Sequence, residues 1–136
     1  MRTGRRFWTL AAALTASAAI AHHSVPVNFD QSREILIRGV LTEVKWLNPH
    51  SHFLVDVTAE DGATEQWLVE HGSVNAMRRS DFGNYLHLFE VGTELSIIGW
   101  PGWRDRTIFM NRAEVVDGGE LLCVVAPGRT PEPCVP

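Results

Sequence analysis

Alternating side chains between residues 51 and 58 constrain the fold of this chain more than any other feature. The two alternating sets are Ser51, Phe53, Val55, Val57 and His52, Leu54, Asp56, Thr58. A period of two is typical of a strand with one face buried and one face in water. The break at Asn48–Pro49 and the turn signal at 60–62 bound this segment. The sequence therefore predicts a sheet-based fold.

Further segments extend this sheet. Strands are predicted at 33–47, 65–70, 94–100 and 106–116, with a short final strand at 120–125. Gly39 marks a bulge or bend in the first strand. Ser73 is expected to cap a short helix at 74–78, whereas 81–89 is expected to be irregular.

Three strands, one helix and two strands form the order of a small five-stranded OB-like barrel, the oligonucleotide/oligosaccharide-binding fold. We therefore predict a mostly β protein with one short helix between strands 3 and 4. Closing the sheet removes edges that so short a chain would otherwise expose. An open β-sandwich of the same strands is the alternative. Such barrels host unrelated ligands, so the fold predicts no function.

The first 21 residues have the pattern of a cleaved signal peptide. Arg2, Arg5 and Arg6 precede an apolar run, and Ala19-Ile20-Ala21 offers a small-residue cleavage site. A membrane anchor is the alternative, but the run is shorter than the ~20 residues that span a bilayer. We therefore expect a periplasmic protein with an N-terminal arm at 22–32, a barrel at 33–125 and a proline-rich tail at 126–136.

The mature chain is expected to be acidic. Removing three arginines from the twelve basic residues leaves nine against sixteen acidic ones, a net charge of −7 with histidine neutral. Nucleic acid binding depends on clustered Lys and Arg. The composition therefore argues against a nucleic acid partner, and no second apolar stretch suggests a permanent membrane span.

Two cysteines, Cys123 and Cys134, lie close to the C-terminus. Cysteine pairs in oxidising compartments commonly form disulfides. Closing so short a loop would stabilise the fold by roughly 3 kcal/mol on the chain-entropy model. A metal or redox pair is the alternative, although no histidine lies near them in sequence.

Histidines are the strongest indication of chemistry. All six lie after the predicted cleavage site, namely His22, His23, His50, His52, His71 and His87. Imidazole suits copper, zinc and nickel, and affinity among divalent metals peaks at copper. His50 and His52 are two residues apart, so both project from one face of a strand.

Cleavage after Ala21 would give His22 a free α-amine beside its imidazole, which is a chelating pair on one residue. Cleavage after Ala19 would instead leave histidine third, a different copper or nickel chelate. We therefore predict a copper site from His22, His23, His50 and His52. The alternative is that these histidines are only solvated.

Tryptophans offer a second kind of site. The candidate ligand-binding residues are Trp46, Asn48, Trp67, Glu70, Trp100 and Trp103. Tryptophans in a small barrel are mostly core residues, and Asn48 before proline is also a good turn former. Trp100 and Trp103 flank Pro101-Gly102, so we expect them to be exposed at a hairpin tip. Asp30, Asp56 and Glu70 are candidate acids without catalytic spacing.

The chain resembles an uncharacterised family of short exported bacterial proteins, a domain of unknown function. The resemblance covers roughly residues 22–117 and is most specific in Trp46 to His50, a Trp-x-Asn-Pro-His stretch. His22-His23-Ser24, Phe29-Asp30 and Gly72-Ser73 also carry it. It implies export and a small β barrel but no activity. Val74 and His71 depart from the family pattern, which favours proline and an apolar residue at these positions.

Two classes of function follow for this small binding module. The first is copper binding through the histidines. The alternative is a non-metal interaction protein that recognises a protein or saccharide through exposed tryptophans. An exported enzyme is the last alternative; it would need Glu70 or His50 as acid or base, and no sequence motif supports it.

Overall fold

The computed structural model describes residues 25–117 and 119–129. The elements are α1 (Val25–Asn28), β1 (Ile35–Lys45), β2 (Ser51–Thr58), β3 (Thr64–His71), α2 (Val74–Arg78), α3, a 3-10 helix (Asp81–Leu88), β4 (Glu94–Pro101), β5 (Thr107–Asp117) and β6 (Glu120–Val125). None of the helices in these ranges has the length and apolar character needed to cross a membrane.

Five of the strands close into a barrel. The antiparallel order is β3-β2-β1-β4-β5-β6, and a parallel pairing of β3 with β5 joins the two ends of the five-stranded part. β6 lies outside the closed ring as a sixth strand on β5. The predicted barrel with a helix between strands 3 and 4 is confirmed, and the open sandwich is wrong.

The barrel interior is apolar and is plugged by the helical segment after β3. Phe53, Val55 and Val69 alternate inward from β2 and β3 and are fully buried. Ser73 caps α2 as predicted, because its hydroxyl accepts a hydrogen bond from the Ala76 backbone N–H at 3.1 Å. Met77 of this helix is also fully buried.

The prediction of irregular chain at 81–89 is wrong, because residues 81–88 form the 3-10 helix α3. Side chains three apart eclipse one another in such a helix. Phe82, Tyr85 and Leu88 have this spacing and all pack on the core. The spacing of three is therefore a signal for this helix, but it matches neither the 3.6-residue period of an α-helix nor the two-residue period of a strand.

Gly39 is needed for a close approach between β1 and β2 rather than for the bulge itself. A Cβ at this position would collide with the carbonyl oxygen of Asp56. The register shift lies two residues further on, between Leu41 and Glu43. The prediction of a bulge or bend in β1 was correct, but the irregularity lies two residues after the predicted position, Gly39.

The described part of the N-terminal arm at 22–32 starts with a helical turn, α1. It continues into Phe29, which forms a bridge with Gly102. The Asp30 carboxylate then accepts hydrogen bonds from the Ser32 hydroxyl at 2.6 Å and from its backbone N–H. These bonds, with a smaller effect of Arg33, lower the pKa of Asp30. This candidate acid therefore stabilises a turn.

Candidate functional site

The outer face of β2 and β3 carries a cavity of about 380 Å³ beside the β1–β2 loop. Most of the polar site residues predicted from the sequence lie here. We call it the histidine groove, and its lining residues are Asn28, Leu47, Asn48, Pro49, His50, His52 and Glu70. Residues of α1, of the loop and of two strands therefore meet in one place.

His50 and Glu70 form the polar centre of the histidine groove. Nδ1 of His50 lies 3.7 Å from Oε2 of Glu70, and each side chain is 24% exposed. His52 lies directly opposite Glu70 in the β2–β3 register, on the same outer face. Two imidazoles thus flank one carboxylate at a position that solvent reaches.

Hydrogen bonds hold the loop that carries His50 to β2 and to α2. The Ser51 hydroxyl accepts a hydrogen bond from the Leu47 backbone N–H at 3.2 Å, and Val74 N–H donates to the Leu47 carbonyl at 2.9 Å. The Asn48 side-chain oxygen accepts a hydrogen bond from the Asn75 N–H at 3.3 Å. Asn48, predicted as a ligand-binding residue, therefore also links the loop to the start of α2.

A second cavity of about 230 Å³ adjoins the histidine groove, and Asn28 and Glu70 line both. We call it the Trp103 cavity. Trp103 is 67% exposed and Val27 is 71% exposed at its edge. Arg104 also lines it. This cavity combines an exposed aromatic ring with one acidic and one basic side chain.

The other candidate tryptophans belong to the packed structure. Trp46 makes edge contacts with Phe53 and Phe89, with ring centroids 5.0 and 6.0 Å apart. Trp67 packs against the same core, and its indole nitrogen is buried without a hydrogen-bond partner in the described residues. Neither ring lines the histidine groove or the Trp103 cavity.

The expectation that Trp100 is exposed is wrong. It stacks on Phe109 at 5.9 Å, and the guanidinium of Arg129 lies 4.1 Å from its ring centroid. Arg129, in the chain after β6, covers the Trp100 ring. Trp100 is therefore half-buried although it lies beside a hairpin turn.

His71 behaves differently from the groove histidines. It is 1% exposed and packs against Phe82, and neither ring nitrogen has a hydrogen-bond partner among the described residues. Burial, with smaller effects of the nearby charges of Arg129 and His50, lowers the pKa of His71 to about 3. His71 is therefore neutral at physiological pH. His87 is exposed on α3 and lines neither cavity.

The predicted metal ligands are only partly within the described structure. His22, His23 and Cys134 lie outside the described residues, so the metal site and the disulfide stay predictions. Cys123 lies on β6. Within 25–117 and 119–129, no three His, Cys, Asp or Glu side chains are close enough together to hold a metal ion. A metal site with three or more protein ligands in the histidine groove would need donors from outside the described residues.

A family model matches residues 11–109, which is most of the chain and includes every residue of the histidine groove. The chain belongs to the family of unknown function DUF6152. The predicted family resemblance is therefore confirmed. The matched range ends within β5 and leaves out β6 and the tail. Among curated proteins there is no match to this member of DUF6152.

Solved structures with a related arrangement include two proteins. A ZRD-deleted mutant of TiaS in complex with agmatine has 16% identity and a TM-score of 0.49, over 70% of this chain and 26% of that one. The N-terminal domain of PriB from Thermoanaerobacter tencongensis, a dimeric structure, has 17% identity and a TM-score of 0.45, over 62% and 96%. The DUF6152 chain thus spans about a quarter of TiaS. Such likenesses carry no argument about function.

Proposed function

We propose that this protein is an exported, periplasmic copper(II)-binding module. The ligands would be the α-amine and imidazole of His22 together with His50, and His23 and His52 are the further candidate donors. One observation carries the proposal: His50, His52 and Glu70 line a single solvent-accessible groove, and Asn28, six residues after His22, lines it too.

Chain length supports a contribution from the N-terminus. His22 is three residues before Val25, where α1 begins. Three residues span at most about 10 Å. The chain therefore keeps the α-amine that cleavage after Ala21 would create within about 10 Å of Val25, which lies in the same helical turn as Asn28.

The donor types favour copper. Nitrogen ligands suit Cu(II), whose affinity for such sites exceeds that of the other divalent first-row metals. His50 and Glu70 alone are too few ligands for a tight site, and the described residues contain no group of three. The proposal therefore requires correct removal of the signal peptide.

Titration of the mature protein with Cu(II), in competition with a chelator of known affinity, tests the proposal. We expect the affinity to fall sharply when a methionine precedes His22, because the amine has then moved away from the imidazole. His50→Ala should also weaken binding, without a change in circular dichroism. His87→Ala is the matched control, because His87 is exposed outside the groove.

The proposal would be refuted if neither the extra methionine nor His50→Ala changed the copper affinity. Affinity should also fall as pH drops through the usual histidine range near 6.5, because metal ligands must be deprotonated. N-terminal sequencing of periplasmic material tests the underlying assumption, and a retained Met1 or a start at Ile20 would contradict the His22 ligand set.

The Cys123–Cys134 disulfide is a further part of this proposal, since it fits an oxidising compartment. Thiol titration of the unfolded, unreduced mature protein should detect no free thiol. Two reactive thiols would contradict the disulfide. They would also remove the support that a disulfide gives to export.

A second candidate function is recognition of a protein or saccharide through the Trp103 cavity. The observation that favours it is the pair of highly exposed apolar side chains, Trp103 and Val27, next to the polar groups of Glu70 and Arg104. Aromatic rings beside a few polar groups are common in binding sites. Trp103→Ala should abolish such binding and leave copper affinity unchanged.

A further inference from the structure

The methionine sulfurs of the protein lie away from the histidine groove. After the predicted cleavage the sequence retains two methionines, Met77 and Met110. Both belong to the hydrophobic core and are 0% exposed. Among residues 25–117 and 119–129, none that lines the groove carries a sulfur atom. A metal ion in the groove therefore has no thioether within its reach.

The two cysteines do not supply a thiolate to the groove either. Cys123 lies on β6, outside the closed ring, and does not line the groove. The described part of the chain contains no free cysteine. Cys134 lies outside that part, and the disulfide proposed above would bond its sulfur to that of Cys123. The proposed copper site is therefore built from nitrogen and oxygen donors alone.

This set of donors discriminates between the two oxidation states of copper. Thiolate and thioether ligands select Cu(I), whereas nitrogen and oxygen ligands suit Cu(II). Oε2 of Glu70 lies 3.7 Å from Nδ1 of His50, and its negative charge attracts a dication more strongly than a monocation. Both side chains are 24% exposed, so water also reaches the site and stabilises the higher charge. All three features favour Cu(II).

We propose that this site holds copper as Cu(II) and releases it when the metal is reduced to Cu(I). The inference rests on the proposed copper function and adds its control by oxidation state. One electron from a small-molecule reductant such as ascorbate converts Cu(II) to Cu(I), and the reductant is oxidised. No bond within the protein chain forms or breaks. An acceptor with sulfur ligands would then take up the released ion.

Leu47 allows the missing kind of donor to be added to the groove. Its side chain lines the groove and is 44% exposed. Its hydrogen bonds to Ser51 and Val74 use only backbone atoms of residue 47. Exchange of leucine for methionine conserves volume, so Leu47→Met should fold like wild type, which circular dichroism checks. Val91→Met is the matched control, because Val91 is 68% exposed and does not line the groove.

Competition with chelators of known affinity measures binding of both ions to the mature protein, with Cu(I) kept reduced by ascorbate without oxygen. Leu47→Met should raise the Cu(I) affinity about tenfold or more and leave the Cu(II) affinity within about threefold of wild type. A tenfold change in the ratio of the two affinities corresponds to about 59 mV in the reduction potential of the bound copper. Val91→Met should match wild type for both ions.

Reduction of the Cu(II)-loaded wild type tests release directly. With ascorbate and the Cu(I) chelator bicinchoninate present, all of the copper should pass to the chelator, and omission of ascorbate should leave it on the protein. Copper that stays on the reduced wild type would overturn the inference, because imidazoles alone would then hold Cu(I). Unchanged Cu(I) affinity in Leu47→Met would overturn it as well. A wild type that binds no Cu(II) would instead refute the copper proposal, and this inference with it, so the two failures are distinguishable.

Discussion

His52 and Glu70 face the outside of the β2–β3 pair, whereas their chain neighbours Ser51 and His71 face the inside of the same two strands. On the outside, His52 and Glu70 are half-buried and line the histidine groove. On the inside, His71 is fully buried against Phe82 with both ring nitrogens unpartnered in the described residues. Adjacent residues on one strand, Glu70 and His71, thus differ in solvent exposure and in polar partners.

The difference shows that exposure and neighbours, more than residue type, determine what a histidine can do. The outer imidazole of His50 has a carboxylate beside Nδ1. A carboxylate in this position favours the tautomer with a proton on Nδ1 and leaves Nε2 free as a metal donor. The inner imidazole of His71 is neutral at physiological pH, but neither of its nitrogens reaches solvent.

Acidification should affect the inner face most. The pKa of His71 is about 3 in the folded protein, below its ordinary value of 6.5. The unfolded chain therefore takes up a proton first as the pH falls, and the free energy of unfolding decreases by about 1.4 kcal/mol per pH unit between these values. Between pH 6.5 and 4.5 we expect a loss of roughly 2 kcal/mol from this residue.

Urea unfolding at several pH values, on wild type and His71→Leu, measures this contribution. The variant should lack the slope that belongs to His71, while other titrating groups affect both proteins alike. Parallel stability curves between pH 6.5 and 4.5 would mean that His71 is hydrated or hydrogen-bonded in solution, and the contrast between the two faces would fail.

Removing the Glu70 carboxylate on the outer face should weaken copper binding. The free energy involved should be smaller than the loss of stability expected on acidification. If Glu70 orients His50, then Glu70→Ala should lower Cu(II) affinity about tenfold, which is about 1.4 kcal/mol. Glu70→Gln should lose less, because the amide oxygen can still accept from Nδ1. Competition titration measures both variants, with Glu60→Gln in the exposed β2–β3 turn as control. Equal affinities for all three would leave Glu70 with no orienting role.

Leucine substitutions compare the two faces directly at neutral pH. His71→Leu removes two unpartnered buried nitrogens and should raise the free energy of unfolding by about 1 kcal/mol. His52→Leu changes a partly exposed position and should stay within about 0.5 kcal/mol of wild type. Thermal or urea unfolding gives both values. A destabilised His71→Leu would indicate a hidden hydrogen-bond partner for the buried imidazole.

The fold was predictable because its signals are local. Alternation along 51–58 and the turn residues around it determined β2, and Ser73 marked the start of α2 at the observed position. The 3-10 helix at 81–88 was missed, because its period of three fits neither an α-helix nor a strand. Bulge position was also missed, because Gly39 serves contact with Asp56 on another strand, and that contact is not visible in sequence.

The histidine groove was predictable only in part. Strand alternation predicted that His50 and His52 share a face, but Glu70 joins them through the pairing of β2 with β3. Asn28, Leu47 and Pro49 were not predicted as site residues, since only the fold of α1 and of the loop brings them to the groove. Likewise, Trp100 is covered by Arg129, which follows it by 29 residues.

The smallest effect is expected from Trp103→Ala, which tests whether the outer face is one site or two. Trp103 is 67% exposed, so its removal should change the free energy of unfolding by no more than about 0.5 kcal/mol. Copper affinity should also stay within about twofold of wild type, because Trp103 lines only the cavity beside the histidine groove. Glu70 and Asn28 line both cavities. A change at Trp103 could therefore alter copper affinity only through these two residues. A clear fall in copper affinity on Trp103→Ala, measured by the same competition titration, would mean that the two cavities bind as a unit. The histidine groove and the Trp103 cavity would then be parts of a single site.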